Sequence, residues 1–267
     1  MKHLATLGFA LGLCGFMGNA QANDSTATLD AGGIVLNKTA DIVMEKEDLF
    51  VSEDKIRVAY IFRNTSKRPI ETRVAFPVPE FPEEPEGDLG IDTHSNNPMG
   101  FSVTVDGTKK DFETEIKKKD GQVKVTHHWM QTFPAGEALS VVHEYKPAVG
   151  GEAGFYFGGD ERKSRIKQYC IEPDMVKWLD KQMKDNYTMA VSPGFVHYIL
   201  KTGANWKQGA IGKFRLTLKK QNATDKLSFC GTGVKKIDDK TFVMEKTNFT
   251  PKDNLYVMFI HQNDLNQ

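Results

Sequence analysis

Beyond its first two dozen residues the chain has no apolar run approaching the roughly 20 residues that carry a helix across a bilayer. A helical membrane-spanning body is therefore excluded. Cysteine is scarce, at 3 residues in 267, so neither a disulfide-dense scaffold nor a cysteine-rich zinc module is available. Excess charge is missing as well. Thirty-five Lys and Arg balance 35 Asp and Glu, which leaves no field to gather nucleic acid or an anionic bilayer. The usual catalytic strings are absent too. There is no Gly-x-Ser-x-Gly elbow, no His-Glu-x-x-His, no Cys-x-x-Cys, no Gly-x-Gly-x-x-Gly and no phosphate-binding loop. No cofactor is expected.

What is present begins at the start. Lys2 supplies a positive charge, residues 4–17 are apolar, and Ala20-Gln21-Ala22 is a small-x-small cleavage box followed by polar Asn23-Asp24. This is the pattern of a secretory signal peptide over residues 1–22. The expected localisation is periplasmic or secreted, after cleavage near Ala22. Lys2 is the sole charged residue removed, so the mature chain carries a net charge of −1. Leu13 stands where a lipoprotein needs a small residue, so Cys14 leaves with the leader. Cys170 and Cys230 remain in an oxidising compartment and are expected to form one disulfide.

The mature chain reads mainly as strands. Ile56, Val58, Tyr60 and Phe62 alternate with Lys55, Arg57, Ala59 and Arg63, a period of two that turns one row to a core. Asn64-Thr65-Ser66 breaks this strand, and residues 70–76 form the next one, ended by Pro77 and Pro79. Residues 33–38 and 41–51 read as strands of the same sheet system. Asp106-Gly107 and Asp120-Gly121 sit between alternating runs, the strongest short hairpin signal, because both central residues take φ > 0. The stretch 149–160 holds Gly150, Gly151, Gly154, Gly158 and Gly159 and reads as a linker. One helix is expected at about 173–184, opened by Pro173 and Asp174, with Val176, Leu179 and Met183 on one face. More strands follow at 195–200, 213–219, 227–230, 241–245 and 255–260.

Several residues invite a chemical reading, each beside a plainer one. Strand neighbours point to opposite faces, so His127 and His128 cannot share an ion. His127 joins Val123, Val125 and Trp129 on the core side. His128 and Met130 are the candidate metal ligands, a pair suited to soft copper. Otherwise they are packing and surface residues. The segment 79–98 is acidic and Pro-rich, with no Lys or Arg from 74 to 108. Its oxygens could ligate calcium, or be a solvated loop. Asn205 and Trp206 fall in a loop, where an indole beside a turn residue suits a binding face. The plainer reading has Trp206 folded back to plug the end of the sandwich. Trp129 completes the candidate binding set. A hydrolase would draw on His127, His143, His197, Asp160 and Glu161.

The chain resembles a known family through strings that run almost end to end. They include Asn23-Asp24-Ser25-Thr26-Ala27, Glu47-Asp48-Leu49-Phe50-Val51-Ser52, Phe62-Arg63-Asn64-Thr65-Ser66 and Val74-Ala75-Phe76-Pro77-Val78-Pro79. Further along come Tyr169-Cys170, Thr202-Gly203-Ala204-Asn205-Trp206, Phe229-Cys230-Gly231 and Thr247-Asn248-Phe249. It is similar to the bacterial domain-of-unknown-function 4424 family, a resemblance that implies export and assigns no activity. Tyr60-Ile61-Phe62-Arg63-Asn64, Pro69-Ile70-Glu71 and the 74–79 string also resemble the start of vault protein inter-alpha-trypsin domains, β-sandwich modules of extracellular assembly.

The expected architecture is mainly β: an antiparallel β-sandwich, immunoglobulin-like or similar, over 23–148, the 149–160 linker, and a smaller β-rich unit with one α-helix over 161–267. The expected function is non-enzymatic binding or assembly in the cell envelope, with an envelope protein or a glycan as partner and neither nucleic acid nor a transmembrane segment involved. The alternatives are a periplasmic hydrolase acting on cell-wall material and a periplasmic metal-binding protein.

Overall fold

The computed structural model describes residues 25–30, 33–37, 41–85, 88–152, 155–186, 190–201, 206–207 and 209–263. Three sheets make up most of it. The front sheet runs in the order β2 (Gly33–Asn37), β1 (Ser25–Asp30), β5 (Ile70–Pro77), β10 (Gln122–Phe133) and β6 (Phe81–Pro82), with β9 (Glu113–Lys119) also paired to β10. The long sheet has eight strands. Its order is β16 (Lys235–Lys236), β17 (Thr241–Phe249), β14 (Ile211–Lys219), β3 (Ile42–Val51), β4 (Ile56–Asn64), β11 (Ala138–Tyr145), β7 (Ser102–Val105) and β8 (Thr108–Lys109). The small sheet runs β12 (Gly150–Gly151), β13 (Val191–Tyr198), β18 (Leu255–Gln262) and β15 (Lys226–Phe229).

The alternation expected over 56–62 places Ile56, Val58, Tyr60 and Phe62 in the core. The opposite face of the long sheet pairs its charges: Arg63 Nε lies 2.5 Å from Glu45, Arg57 Nε 3.2 Å from Glu144, Arg215 2.8 Å from Glu245 and Lys46 3.3 Å from Asp48. Both other sheets cover the inner face. Phe133 and Trp129 of the front sheet meet Phe62 and His143 at 6.1 and 5.4 Å between ring centres. Tyr198 of the small sheet hydrogen-bonds Tyr60 through their hydroxyls at 2.9 Å. The Asp-Gly hairpins form as their chemistry requires, with positive φ at Asp106, Gly107, Asp120 and Gly121. Asn64 is fully buried. Its amide donates to the carbonyls of Arg68 and Phe133 while its oxygen accepts from Ser66, which fixes the strand break.

The boundary expected at 149–160 does not separate two cores. Strand β14 pairs in parallel with β3, from Lys213 against Lys46 to Leu218 against Val51. Phe214, Leu216 and Leu218 thereby enter the same apolar cluster as Leu49, Val58 and Val74. The reason is edge chemistry. The strand β3 carries an unpaired row of amides and carbonyls on that side, and a distant strand satisfies them. The strands 33–37 and 42–51 also part company, into the front and the long sheet respectively.

Two helices, where one is expected, lie against the small sheet. The first, α1 (Gly159–Tyr169), is polar apart from Ile166 and Tyr169, so hydrophobic periodicity gives no sign of it. Asp160 and Glu161 in its first turn and Lys167 in its last favour the backbone dipole. The second, α2 (Pro173–Asn186), buries Leu179 completely. Strand β18 is consequently covered on both sides. Leu255, Val257 and Phe259 face the long sheet, whereas Met258 and Ile260 join Phe155, Tyr169 and Leu179 beneath the helices.

Cys170 and Cys230 form the expected disulfide, with Cα atoms 5.0 Å apart. It ties the end of α1 to the end of β15. A bridge closing a loop over a separation of 60 residues stabilises by about 2–4 kcal/mol through the unfolded chain. Reduction should lower the denaturant midpoint accordingly and steepen the transition, since the unfolded chain freed of the bridge exposes more surface. Coincident unfolding curves with and without reductant would show that the bridge contributes nothing.

Candidate functional site

A cleft opens where the first half of the chain meets the small sheet, with a volume of about 160 Å³. One wall comes from the segment after β5, with Pro79, Phe81 and Pro82, and from Leu89 and Met99 beyond it. The other comes from Pro147, Ala148 and Gly150 after β11, and from Phe195 and His197 of β13. Pro77 and Pro79 close β5, while Phe81 and Pro82 pair with Val123 and Gln122 and Gly150 pairs with Phe195, so the walls are anchored to the front and small sheets. His197 is the polar end. Its Nε2 shares a 3.2 Å hydrogen bond with the Tyr169 hydroxyl, and Tyr256 meets its ring edge-on at 4.8 Å. Burial lowers the His197 pKa and raises that of Tyr169 to about 12, so both are neutral near pH 7. Glu80 and Tyr145 also line the space, so a mostly apolar slot carrying His197, Tyr145 and Glu80 can bind and orient a group.

The expected hydrolase residues are dispersed. His127 and His143 lie between the front and long sheets, both against Phe101, at 4.3 and 5.0 Å. Asp160 pairs with Lys163 on α1 at 2.8 Å, and Glu161 pairs with Arg165. Only His197 reaches the cleft. The indoles expected to form a binding face are buried instead. Trp206, 2% exposed, packs on Phe62 with ring centres 4.5 Å apart, the plugging arrangement that its large apolar area favours. Trp129, 4% exposed, donates its indole N–H to Gln131 at 3.3 Å. Asn205 lies outside the described residues. His128 is buried with Nε2 4.0 Å from Glu113, while Met130 points to solvent. Among the described residues no three His, Cys, Asp or Glu side chains are arranged to hold a metal ion. In the acidic 79–98 segment Asp88 and Asp92 accept backbone hydrogen bonds from Gly90 and His94, and Glu83 pairs with Lys118 at 2.7 Å.

Two charge clusters go unread in the sequence, a local one around Arg165 and one whose members are far apart in the chain. Arg165 is 8% exposed at its side chain and lies 2.5 Å from Glu152, with Glu161 as second partner and the Phe155 ring 4.9 Å away. Burial opposes its charge, but the two glutamates outweigh that and raise its pKa. The second cluster joins two sheets. His261 of β18 places Nε2 2.9 Å from Glu53 and Nδ1 3.3 Å from Asp225. Both carboxylates are buried, and Asp225 also accepts the Asn222 N–H at 2.7 Å. The bond to Glu53 raises the His261 pKa, with burial opposing and Asp225 assisting. Gly194 makes this possible, since a Cβ there would overlap the Glu53 carboxylate.

Together, the fold and the cleft define a mainly antiparallel β protein, three-sheeted among the described residues, with a slot at the junction of its halves. The chain belongs to the family described as a domain of unknown function, DUF4424, whose profile matches residues 22–126 and 119–258. A comparison with curated proteins finds no match. Among solved structures it is similar to a Legionella pneumophila protein provisionally assigned as nutrient-binding. The TM-score is 0.58 at 16% identity, covering 90% of this chain and 70% of that one. Looser likenesses are to the yeast leukotriene A4 hydrolase bound to bestatin (TM-score 0.40, 11% identity, 82% of this chain and 28% of that one) and to an M1 zinc metallopeptidase from Deinococcus radiodurans (TM-score 0.30, 11% identity, 83% and 43%). The chain spans less than half the length of these two.

Two predictions follow from the buried histidines. Burial, reinforced by neighbouring imidazoles, lowers His127 and His143 to a pKa of about 3. Between pH 6.5 and 3 the unfolded chain then binds protons that the folded chain refuses, so stability falls as pH falls. Each site is worth up to about 4–5 kcal/mol across that range. His261 has the opposite sign: its contribution is complete below pH 6.5 and is lost as pH rises through its raised folded value. Denaturant midpoints should thus decline already between pH 6.5 and 5, above the carboxylate range, and a flat profile there would contradict the neutral burial. Gly194→Ala should push Glu53 off His261. The NMR titration of His261 then returns toward the ordinary histidine value, and stability drops by about 1–3 kcal/mol.

Proposed function

We propose that this is an exported cell-envelope binding module that receives one apolar side chain of a protein partner in the cleft. The observation that carries this reading is the cleft itself. Its 160 Å³ falls below the roughly 300–1,000 Å³ of sites that enclose whole small ligands, and suits a single large side chain. Its walls are mostly aliphatic, aromatic and proline surfaces, with Glu80, Tyr145 and His197 as the residues that bring polar groups. A glycan ring would need several hydroxyl partners, so a protein anchor is the better fit. Sequence features support the location: the leader over residues 1–22 and two cysteines kept for an oxidising space. The Legionella pneumophila structure of similar fold carries a provisional binding assignment of its own, which is in keeping with a binding role here.

The tests are separate. Mass spectrometry of the protein from an envelope fraction should find a mature N-terminus at Asn23, and an intact leader in a cytosolic fraction would defeat the export. For the cleft, Ala148→Trp fills the slot from its rim. A partner cross-linked to the wild-type protein in envelope extract should be lost by about tenfold in this variant, with thermal stability preserved. Retained cross-linking in a folded Ala148→Trp protein would remove the cleft from the function.

A further inference from the structure

A second concavity, of about 590 Å³, lies where the parallel neighbours β3 and β14 both end. Its floor and sides include Lys55, Arg57, Lys219, Lys220 and Lys240, with Asp54 as the one acidic side chain among its lining residues. This is an anomaly in a chain with no net charge, whose long sheet elsewhere matches cation to carboxylate. Arg57 and Lys55 share one partner, Glu144, at 3.2 and 3.9 Å. Among the described residues no carboxylate lies within 4.0 Å of the Lys219, Lys220 or Lys240 ammonium groups, whereas such pairs form on the outer face of the long sheet.

Lys220 is the informative member. It is 6% exposed, and its ammonium donates to the carbonyls of Ala223 at 3.0 Å and Asp225 at 2.5 Å. Carbonyl dipoles hold the cation without neutralising it. The nearby Asp225 carboxylate is committed to His261 and to the Asn222 N–H. The walls are also fixed. Residues 52–55 form a tight turn in which the Lys55 N–H donates to the Ser52 hydroxyl at 3.0 Å. The Lys220 N–H donates to the Lys240 carbonyl at 2.9 Å, and the Lys240 ammonium donates to the Gln221 carbonyl at 2.7 Å. Asp225 and Asp239 are near enough to favour the Lys220 charge, but neither carboxylate contacts its ammonium. A buried ammonium held by carbonyls behind a rim of further cations is an arrangement that receives an oxyanion.

We propose that this groove binds a phosphate group, with Lys219, Lys220 and Lys240 as its principal donors. The phosphate is either free or borne by a lipid headgroup, and the experiment distinguishes the two. The full mature protein is titrated with inorganic phosphate at low salt, followed by phosphorus NMR, and is floated with vesicles of phosphatidylglycerol and phosphatidylcholine. The variant Lys219→Glu/Lys240→Glu is compared with Lys167→Glu/Lys177→Glu, which makes the same change of charge on the helices. The proposal expects binding in at least one arm, falling with added salt, and reduced about tenfold by the groove variant but less than twofold by the helix variant. Binding in the phosphate arm identifies a soluble ligand, and binding in the vesicle arm alone a headgroup. No binding in either arm, or equal loss in both variants, overturns it. Because both variants alter exposed side chains, and circular dichroism confirms folding, a null result reports on the groove.

Discussion

The pairing of β14 with β3 is the constraint on which the rest of this structure depends. It is a parallel pair between segments more than 150 residues apart, and six registered positions hold it. Without it the long sheet would end at an open edge on β3, and Phe214, Leu216 and Leu218 would have no core to enter. With it, the small sheet is brought onto the same inner face that the front sheet covers. Tyr198 can then reach Tyr60, and Trp206 can reach Phe62. Long-range parallel pairing is slow to form, since chain closure must precede the contacts that reward it. A disulfide within the second half, from α1 to β15, shortens that search by preassembling the helix against the small sheet.

Burial on both faces of the small sheet has an electrostatic consequence. Charged groups that sit at its margins lose water and must find partners in the protein. Arg165 does so with Glu152, Glu161 and the Phe155 ring. Glu53 and Asp225 do so with His261 between them. The histidines between the front and long sheets solve the same problem differently. They sit among aromatic rings, and burial keeps them neutral. One residue type is thus shifted in opposite directions in one molecule, down by burial at His127 and His143 and up by the bond to Glu53 at His261.

How much was legible in the sequence follows the range of the interaction. Local rules worked: the period of two over 56–62, the Asp-Gly turns with positive φ, the break at Asn64 and the helix opened by Pro173. The disulfide was legible because, with Cys14 assigned to the expected leader, the two remaining cysteines left one pairing. What failed was non-local. The first helix is too polar to show a face, and it is held by Arg165 and by packing that only the fold supplies. The linker glycines suggested a boundary, but no local pattern shows that a strand beyond them completes a sheet before them. Trp206 could be read as exposed or buried, and the neighbour that decides it, Phe62, is far away in the chain. The cleft and the cluster of Glu53, Asp225 and His261 are likewise assembled from distant segments, with no spacing to mark them.

The cleft and the basic groove are not independent features of the surface. Glu53 stands between Ser52 and Asp54, which line the groove, and its carboxylate occupies the space left by Gly194, next to Phe195 of the cleft. Asp225 closes the turn whose first residue, Lys220, is the buried ammonium of the groove. His261 bridges the two carboxylates. A single buried cluster therefore sets the position of one wall of each concavity. Turns are the parts of a β protein that open most readily. The two that border the groove, 52–55 and 220–225, are such segments, whereas the cleft wall at Gly194 and Phe195 lies within β13. His261 ties these two turns to each other through Glu53 and Asp225. The placement of a charged group in an apolar surround follows from that requirement, since an aliphatic residue at position 261 could fill the space but could not tie Glu53 to Asp225.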